Sequence, residues 1–158
     1  VLGNHDYLDD AETLRAMLAA FGVRILKNER VFLGKGNEQV AIVGVDDLWF
    51  GDVDLELARM GISEEMPQIL LTHNPDLVFS LKPPPVAAIL AAHTHGGQIR
   101  LPFIGAVPEI PTSLGRRYAR GRFDWNGVPL LITSGLGVTG PRARLLAPPE
   151  VMIIDVYF

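Results

Sequence analysis

All four histidines of the chain lie in three short polar motifs, and each motif directly follows an apolar run. Short apolar runs bounded by polar residues are typical of buried strands. Because open α/β sheets bind ligands at the carboxyl ends of their strands, this order predicts that the histidines converge on one site. The three motifs are Gly3-Asn4-His5-Asp6, Thr72-His73-Asn74-Pro75-Asp76 and Ala92-His93-Thr94-His95-Gly96-Gly97-Gln98.

Helical and strand patterns alternate in the first part of the chain, and the later part is mainly β, which predicts an α/β fold. Apolar residues recur at spacings of three and four over residues 11–20, which predicts a helix there, capped by Asp9 or Asp10. The turn Asn126-Gly127 between two apolar runs predicts a hairpin. Strands are predicted at residues 23–26, 30–33, 39–45, 69–72, 86–91, 118–125, 128–133 and 150–157, the end of another strand at 1–3, helical turns at 53–60 and 75–81, and a stiff proline connector at 82–85.

The composition fits one domain over residues 1–158 and excludes several kinds of site. Hydrophobic residues make up 48% of the 158 residues, which is enough for a buried core. The net charge is −4 and no basic block is present, so nucleic acid is not expected as a partner. The chain has no cysteine, so any metal must bind to nitrogen and oxygen ligands. No apolar run reaches the ~20 residues that a membrane-spanning helix needs.

The motifs supply the donor set of a transition-metal site. Neighbouring parallel strands that end at His73 and His93 would bring these two imidazoles together, and the His-x-His spacing adds His95. Asn4 offers a neutral carboxamide oxygen. Three histidines and one asparagine suit Mn, Fe, Zn or Ni better than Ca or Mg.

His5 differs from the other histidines, because it follows Asn4 directly and the two side chains cannot easily bind one metal in the same way. Asp6 beside it could orient and charge the imidazole, which is the usual role of an acid next to a catalytic histidine. A protonated His5 near a bound phosphate would protonate the leaving group. Gly96-Gly97 leaves space in which backbone N–H groups could approach an anion.

Each motif taken alone has a plainer interpretation. A single histidine after a strand is often a surface or cap residue, and Gly-Asn-His-Asp can form a turn. Asp46 and Asp47 are better explained as turn-forming residues than as ligands. Six arginines have two interpretations, of which solvated faces are favoured over a rim that attracts an anionic substrate. They are Arg116, Arg117, Arg120, Arg122, Arg142 and Arg144.

The ordered combination of motifs resembles the calcineurin-like metallophosphoesterase superfamily. That superfamily carries, in order, Asp-x-His, Gly-Asp-x-x-Asp, Gly-Asn-His-Asp/Glu, a lone histidine after a strand, and Gly-His-x-His. The last three match Gly3-Asn4-His5-Asp6, His73 and Ala92-His93-Thr94-His95, with alanine in place of the usual glycine. Similarity to the bacterial YkuE/YaeI-type branch extends over His93–Ile99, Leu101-Pro102, Gly135-Leu136-Gly137 and Pro148-Pro149-Glu150.

The resemblance implies a fold, an activity and a ligand set. The fold would be a two-sheet β-sandwich flanked by helices, and the activity would be hydrolysis of a phosphoester by a phosphodiesterase or phosphomonoesterase. Two divalent metal ions about 3.5–4 Å apart would clamp the phosphate and supply a bridging hydroxide. The resemblance assigns His95 to the first ion, Asn4, His73 and His93 to the second, and His5, supported by Asp6, as the acid or phosphate-stabilising residue.

The first two motifs of the superfamily precede Gly-Asn-His-Asp, and a chain that starts at Val1 begins too late to contain them. We therefore expect the chain to be the C-terminal part of an N-terminally truncated domain. The absent motifs include the aspartate that bridges both ions, so the isolated chain could be inactive and could expose apolar sheet edges. The resemblance also implies membrane association or export through a preceding segment, and a cytoplasmic location is the other expectation.

Two other functions stay open. One is a UDP-sugar-lipid pyrophosphatase of the same fold, for which Phe103, Ile104 and Val107 could form an apolar lip beside an acyl chain. A hydrophobic loop packed on the core is the favoured interpretation of these three residues. The other function is a non-catalytic metal-binding fragment, which the incomplete ligand set would fit.

Overall fold

The computed structural model of the chain describes residues 1–36, 38–81, 86–107 and 109–157, and in these ranges it contains a six-stranded sheet and a two-stranded sheet. The large sheet consists of β1 (Glu29–Lys35), β2 (Glu38–Gly44), β3 (Gln68–Leu71), β4 (Val86–Ala91), β7 (Gly121–Trp125) and β8 (Val128–Ile132), and the small one pairs β5 (Arg100–Leu101) with β6 (Gly105–Ala106). The helices are α1 (Asn4–Leu8), α2 (Ala11–Ala20) and α3 (Leu55–Arg59), with 3-10 turns at Pro75–Ser80, His95–Gly97 and Arg116–Ala119.

The middle of the large sheet is parallel. Its strand order is β1-β2-β3-β4-β8-β7, and the pairs β2–β3, β3–β4 and β4–β8 are parallel, while β1 and β7 are antiparallel edge strands. The expected parallel pairing of the two strands that precede His73 and His93 is therefore confirmed. The carboxyl ends of β2, β3, β4 and β8 lie at one edge of the sheet, so the residues that follow these strands meet there.

The core runs along the parallel strands. Val43, Leu70, Ile89 and Leu130 are buried residues of four adjacent strands, and Leu77 from the turn after β3 belongs to the same cluster. Burying an aliphatic side chain of this size contributes about 2 kcal/mol to stability. A continuous core of this kind fixes the four carboxyl ends relative to one another.

Two local predictions with clear chemical causes are confirmed. Helix α2 spans Ala11–Ala20 and begins after Asp10, whose side chain accepts a hydrogen bond from a backbone N–H of the first turn. Strands β7 and β8 form the expected hairpin, with positive φ angles at Asn126 and Gly127. Both angles match those that a type I′ turn requires.

Three predicted strand segments are wrong. Residues 1–3 and 23–26 are irregular, and residues 150–157 are irregular and mostly exposed. A strand requires a neighbour that pairs with its backbone, and β propensity alone does not provide that neighbour. The proline connector predicted at 82–85 lies outside the described residues.

The segment after β8 is held by a side chain instead of a strand ladder. The Glu150 carboxylate accepts hydrogen bonds from Ser134 N at 2.9 Å and from Thr133 Oγ1 at 3.0 Å. These bonds anchor the start of the predicted last strand at the end of β8, where it does not add to the sheet.

The α/β class is confirmed. Within the described ranges the second sheet consists of β5 and β6 alone, so the two-sheet sandwich stays a prediction. None of the helices that the structure describes has the length and apolar character needed to cross a membrane.

Candidate functional site

Three side chains from distant parts of the chain converge at the carboxyl edge of the parallel strands. His73 follows β3, His93 follows β4, and Asn4 is the first residue of α1. His73 Nε2 lies 3.0 Å from Asn4 Oδ1 and 3.1 Å from His93 Nδ1. The structure thus brings together the three residues that the resemblance assigns to one ion.

Burial keeps these two imidazoles neutral near pH 7. Burial, with a smaller contribution from the neighbouring His93, lowers the pKa of His73 to about 4. Burial also lowers the pKa of His93, while the negative charge of Asp47 acts in the opposite direction. A neutral imidazole has a lone pair available for a metal. The pair is therefore better suited to binding an ion than to transferring protons.

The turn after β4 has an uncommon backbone conformation. His93 and His95 have φ angles of 65° and 51°, in the left-handed region that few residues other than glycine adopt. Gly97 shares this conformation, and a Cβ there would collide with Ala106. The N–H of Gly97 donates to the Thr94 carbonyl, so the expectation that this N–H faces an anion is wrong. Close packing accounts for the glycine.

His95 and His5 contact a different segment, the loop after β8. His95 Nδ1 lies 3.1 Å from the Gly137 carbonyl oxygen, and the exposed His5 places its Nε2 3.1 Å from Thr139 Oγ1. Over the part of the chain that the structure describes, no three histidine or acidic side chains are spaced to hold one ion. The assignment of His95 to a first ion stays a prediction.

Asp6 acts on the backbone of the motif that contains it. Its carboxylate accepts a hydrogen bond from Gly3 N at 2.7 Å, which closes the first turn of α1. This turn carries Asn4 and His5. In this structure the Asp6 carboxylate contacts the backbone of the turn, and its support of His5 stays a prediction.

One arginine connects the loops around the site. Arg144 neither lies on a solvated face nor forms a rim for an anionic substrate, because its guanidinium donates hydrogen bonds to backbone carbonyls. Of the other arginines, Arg116, Arg117, Arg122 and Arg142 are exposed, as expected for solvated faces. Arg144 Nη1 donates to the carbonyls of His95 and Ala147, both at 3.0 Å, and Nη2 donates to those of Ser134 at 2.8 Å, Gly135 at 3.3 Å and Gly137 at 2.5 Å.

Sequence reasoning missed the importance of the loop after β2. Asp46 and Asp47 do form a turn, as predicted, but they are only 2% and 1% exposed. The Asp46 carboxylate accepts a hydrogen bond from Tyr7 of α1, and the Trp49 ring packs edge-on against His93 with centroids 4.5 Å apart. The signal was present in the sequence, because Asp46-Asp47 follows an apolar run as the histidine motifs do.

Known proteins resemble this chain over almost its whole length. It is 33% identical to the metallophosphoesterase YkuE of Bacillus subtilis, over 99% of the chain and 54% of that protein. It is 31% identical to the phosphodiesterase YaeI of Escherichia coli, over 98% of the chain and 56% of that protein. It is also 32% identical to the UDP-2,3-diacylglucosamine pyrophosphatase LpxG of Chlamydia muridarum, over 83% of the chain and 40% of that protein. No family model and no solved structure matches the chain.

The chain belongs to the metallophosphoesterase superfamily. The resemblance drawn from the ordered motifs is thereby confirmed. The chain spans about half the length of the first curated relatives it matches. The names of these metallophosphoesterases imply divalent metal ions in general and do not identify the metal.

The close approach of His73 requires glycine at position 3. A Cβ at Gly3 would lie 2.6 Å from the His73 ring. We expect Gly3→Ala to displace the ring from Asn4 and to lower the free energy of unfolding by about 1–3 kcal/mol, measured by urea denaturation. Gly137→Ala is the matched control, since none of the described residues lies within 4 Å of its added Cβ. Equal stability losses in both variants would show that His73 packing is not the cause.

Proposed function

We propose that the chain carries part of the active site of a metal-dependent phosphoester hydrolase, either a phosphodiesterase or a phosphomonoesterase. The main support is that Asn4 Oδ1 and His93 Nδ1 both lie within 3.1 Å of one atom, His73 Nε2. These donors lie at the edge where parallel sheets usually bind their ligands. The name of the relative YaeI, a phosphodiesterase, supports the same reaction class.

The three donors fit a divalent transition metal. Two atoms that each bind an ion at about 2.1 Å and at a right angle lie about 3.0 Å apart. The two separations at His73 Nε2, 3.0 Å to Asn4 and 3.1 Å to His93, match this spacing. Nitrogen and neutral oxygen ligands suit Mn, Fe, Zn and Ni. We assign these three residues to the second ion of a dinuclear centre.

His95 is the ligand proposed for the first ion. Its Nδ1 lies 3.1 Å from the Gly137 carbonyl, which leaves Nε2 as the ligand atom. Metal-bound histidines usually bond through their other ring nitrogen to a carbonyl or carboxylate in this way. We also propose that the six-stranded sheet is one layer of the two-sheet sandwich of the family.

The residues of the chain divide the chemistry among them. Divalent ions bound at the site would polarise the phosphate and supply a hydroxide nucleophile. His73 and His93 stay neutral and serve as ligands of the second ion. His5 is exposed beside Thr139, and it holds the proton that passes to the oxygen of the leaving group. Asp6 fixes the turn that presents His5.

The test is hydrolysis of bis-(p-nitrophenyl) phosphate and of p-nitrophenyl phosphate, with Mn²⁺, Fe²⁺, Zn²⁺ and Ni²⁺ added separately. Both the 158-residue chain and the longest polypeptide that its gene encodes are assayed. We expect hydrolysis by at least one of them, removed by a chelator and restored by one of these ions. Metal binding without hydrolysis of either ester would instead support the non-catalytic metal-binding alternative.

A lipid-linked substrate is the second candidate, and two exposed side chains favour it. Phe103 is fully exposed and Ile104 is 59% exposed, so the prediction that they pack on the core is wrong. In addition, Ile99 and Ile110 line a mainly apolar pocket that includes His95. The relative LpxG acts on UDP-2,3-diacylglucosamine by its name, and the apolar surface would receive the acyl chains of such a substrate.

The same hydrolysis assay distinguishes a lipid-linked substrate from a simple phosphoester. UDP-2,3-diacylglucosamine is compared with bis-(p-nitrophenyl) phosphate, using the parent chain and Phe103→Ser. A lipid substrate predicts that Phe103→Ser slows hydrolysis of the acylated compound alone. Equal rates for parent and variant on both compounds would argue against an acyl-binding role for this surface.

A further inference from the structure

The Gln98 side chain binds the loop after β8 through both its oxygen and its nitrogen. Gln98 ends the motif that contains His95, and its φ angle of 47° lies in the left-handed region. Its Oε1 accepts a hydrogen bond from Thr139 N at 2.9 Å, and its Nε2 donates to the carbonyls of Thr139 and Pro141, both at 2.9 Å. One side chain thus binds both backbone groups of Thr139, so Gln98 fixes where Thr139 lies.

The Thr139 hydroxyl faces the exposed ring of His5. Thr139 Oγ1 lies 3.1 Å from His5 Nε2, and the two residues are 134 positions apart along the chain. An exposed side chain exchanges between rotamers within nanoseconds, and a hydrogen bond to a fixed hydroxyl favours one of these rotamers. The contact therefore limits the directions in which the other ring nitrogen, Nδ1, can point.

The proton on His5 decides the direction of this hydrogen bond. In the proposed function His5 carries the proton that passes to the leaving group, and both nitrogens of a protonated imidazole are donors. Nε2–H then donates to Thr139 Oγ1, because a hydroxyl oxygen can accept. This leaves Nδ1–H as the group that can reach the oxygen of the leaving group.

The loop after β8 also contacts His95. The Gly137 carbonyl oxygen lies 3.1 Å from His95 Nδ1 and accepts a hydrogen bond from Arg144 Nη2 at 2.5 Å. Gly137 and Thr139, two residues of one loop, therefore face the proposed ligand of the first ion and the proposed acid. General acid catalysis requires the acid within hydrogen-bond reach of the leaving oxygen, and a common support fixes the acid relative to the ion.

We propose that Thr139 is a positioning residue for His5: held by Gln98, its hydroxyl accepts the Nε2–H of the protonated ring and directs Nδ1–H to the leaving group. The inference rests on the proposed function, in which His5 is the acid. A contact that only attached α1 to the loop would contribute to stability and leave the chemical step unchanged.

The first measurement is a double-mutant cycle of Thr139→Val and His5→Ala. The kcat is measured with bis-(p-nitrophenyl) phosphate and with diethyl phosphate, whose leaving oxygen is more basic. We expect Thr139→Val to lower kcat about 3–10-fold on diethyl phosphate and less on the p-nitrophenyl ester. Thr139→Ser, which keeps the hydroxyl, should recover most of the loss.

The cycle tests whether Thr139 acts through His5. In a His5→Ala background, Thr139→Val should cause no further loss, because the group it positions is already absent. An equal loss in both backgrounds overturns the proposal, and so does a Thr139→Val protein with the kcat of the parent.

The second measurement needs neither metal nor hydrolysis. In the 158-residue chain, a nuclear Overhauser effect is expected between the Thr139 methyl group and the ring hydrogens of His5. Gln98→Leu should remove it, while Gln39→Leu, the same substitution in β2, should keep it. Its absence in the parent chain overturns the proposal, whether or not the variants fold, and its persistence in a folded Gln98→Leu chain overturns the role of Gln98. If the effect is present but no phosphoester is hydrolysed, the proposed function and the positioning role fail, and the contact between His5 and Thr139 stands.

Discussion

His5→Ala is expected to lower kcat for phosphodiester hydrolysis about 10²–10⁴-fold, which is the usual contribution of a general acid or base. His5 is exposed and its recorded partner is Thr139 Oγ1, so its loss should leave the fold intact. It is not one of the ligands assigned to the ions, so metal affinity should also be unchanged. The measurement is kcat and KM, with metal content determined on the same preparation.

The leaving group distinguishes an acid from a phosphate-stabilising residue. An acid that protonates the leaving oxygen matters most when that oxygen is strongly basic. His5→Ala should therefore slow hydrolysis of an alkyl ester more than hydrolysis of a p-nitrophenyl ester. Equal losses on both esters would point to stabilisation of the phosphate, and full activity in the variant would exclude either role.

His93→Ala provides the contrasting result. It removes a proposed ligand 3.1 Å from His73, so we expect activity and metal to be lost together. His5→Ala should lose activity alone. A His93→Ala protein that keeps both its metal and its activity would contradict the proposed ligand set.

Arg144→Met is expected to cause the largest loss of stability, about 3–5 kcal/mol in the free energy of unfolding. Methionine fills a similar volume but has no donor for the five carbonyls that the guanidinium binds. Two of these carbonyls belong to His95 and Gly137, so the His95 loop should loosen as well. Urea denaturation measures the first effect, and amide exchange near His95 measures the second.

Arg142→Met is the matched control, because Arg142 is exposed and lies two residues away. A surface substitution of this kind usually changes stability by less than about 0.5 kcal/mol. Arg144→Lys should recover part of the loss, since an ammonium keeps the charge but cannot reach acceptors on both sides. If Arg144→Met and Arg142→Met were equally stable, the carbonyl contacts would carry little energy.

The predictions from sequence succeeded where one pattern determines one structure. The apolar runs before His73 and His93 are parallel strands with their carboxyl ends at the site, as predicted, and this pairing accounts for the contact between the two histidines. The predictions failed for segments that would need a pairing strand elsewhere in the chain. Residues 150–157 have the composition of a strand, but nothing local specifies a neighbour, and the Glu150 carboxylate attaches the segment to the end of β8.

The contacts of Arg144 and the burial of Asp47 could not be predicted for a related reason. The partners of Arg144 are backbone carbonyls, which every residue possesses, so their positions depend on how two loops meet. Asp47 has the local signature of a turn, and it does form one. Its burial arises from packing against distant parts of the chain, which the sequence pattern around it does not record.

The contacts of His73 join segments that are 69 and 20 residues apart along the chain. An ion held by these residues would therefore close two loops of the folded chain, and its binding free energy would add to the stability of the fold because the unfolded chain has no preformed site. Helix α1, only five residues long, depends most on such a link. A bound metal would therefore anchor the amino-terminal segment to the sheet in addition to any part it takes in the reaction.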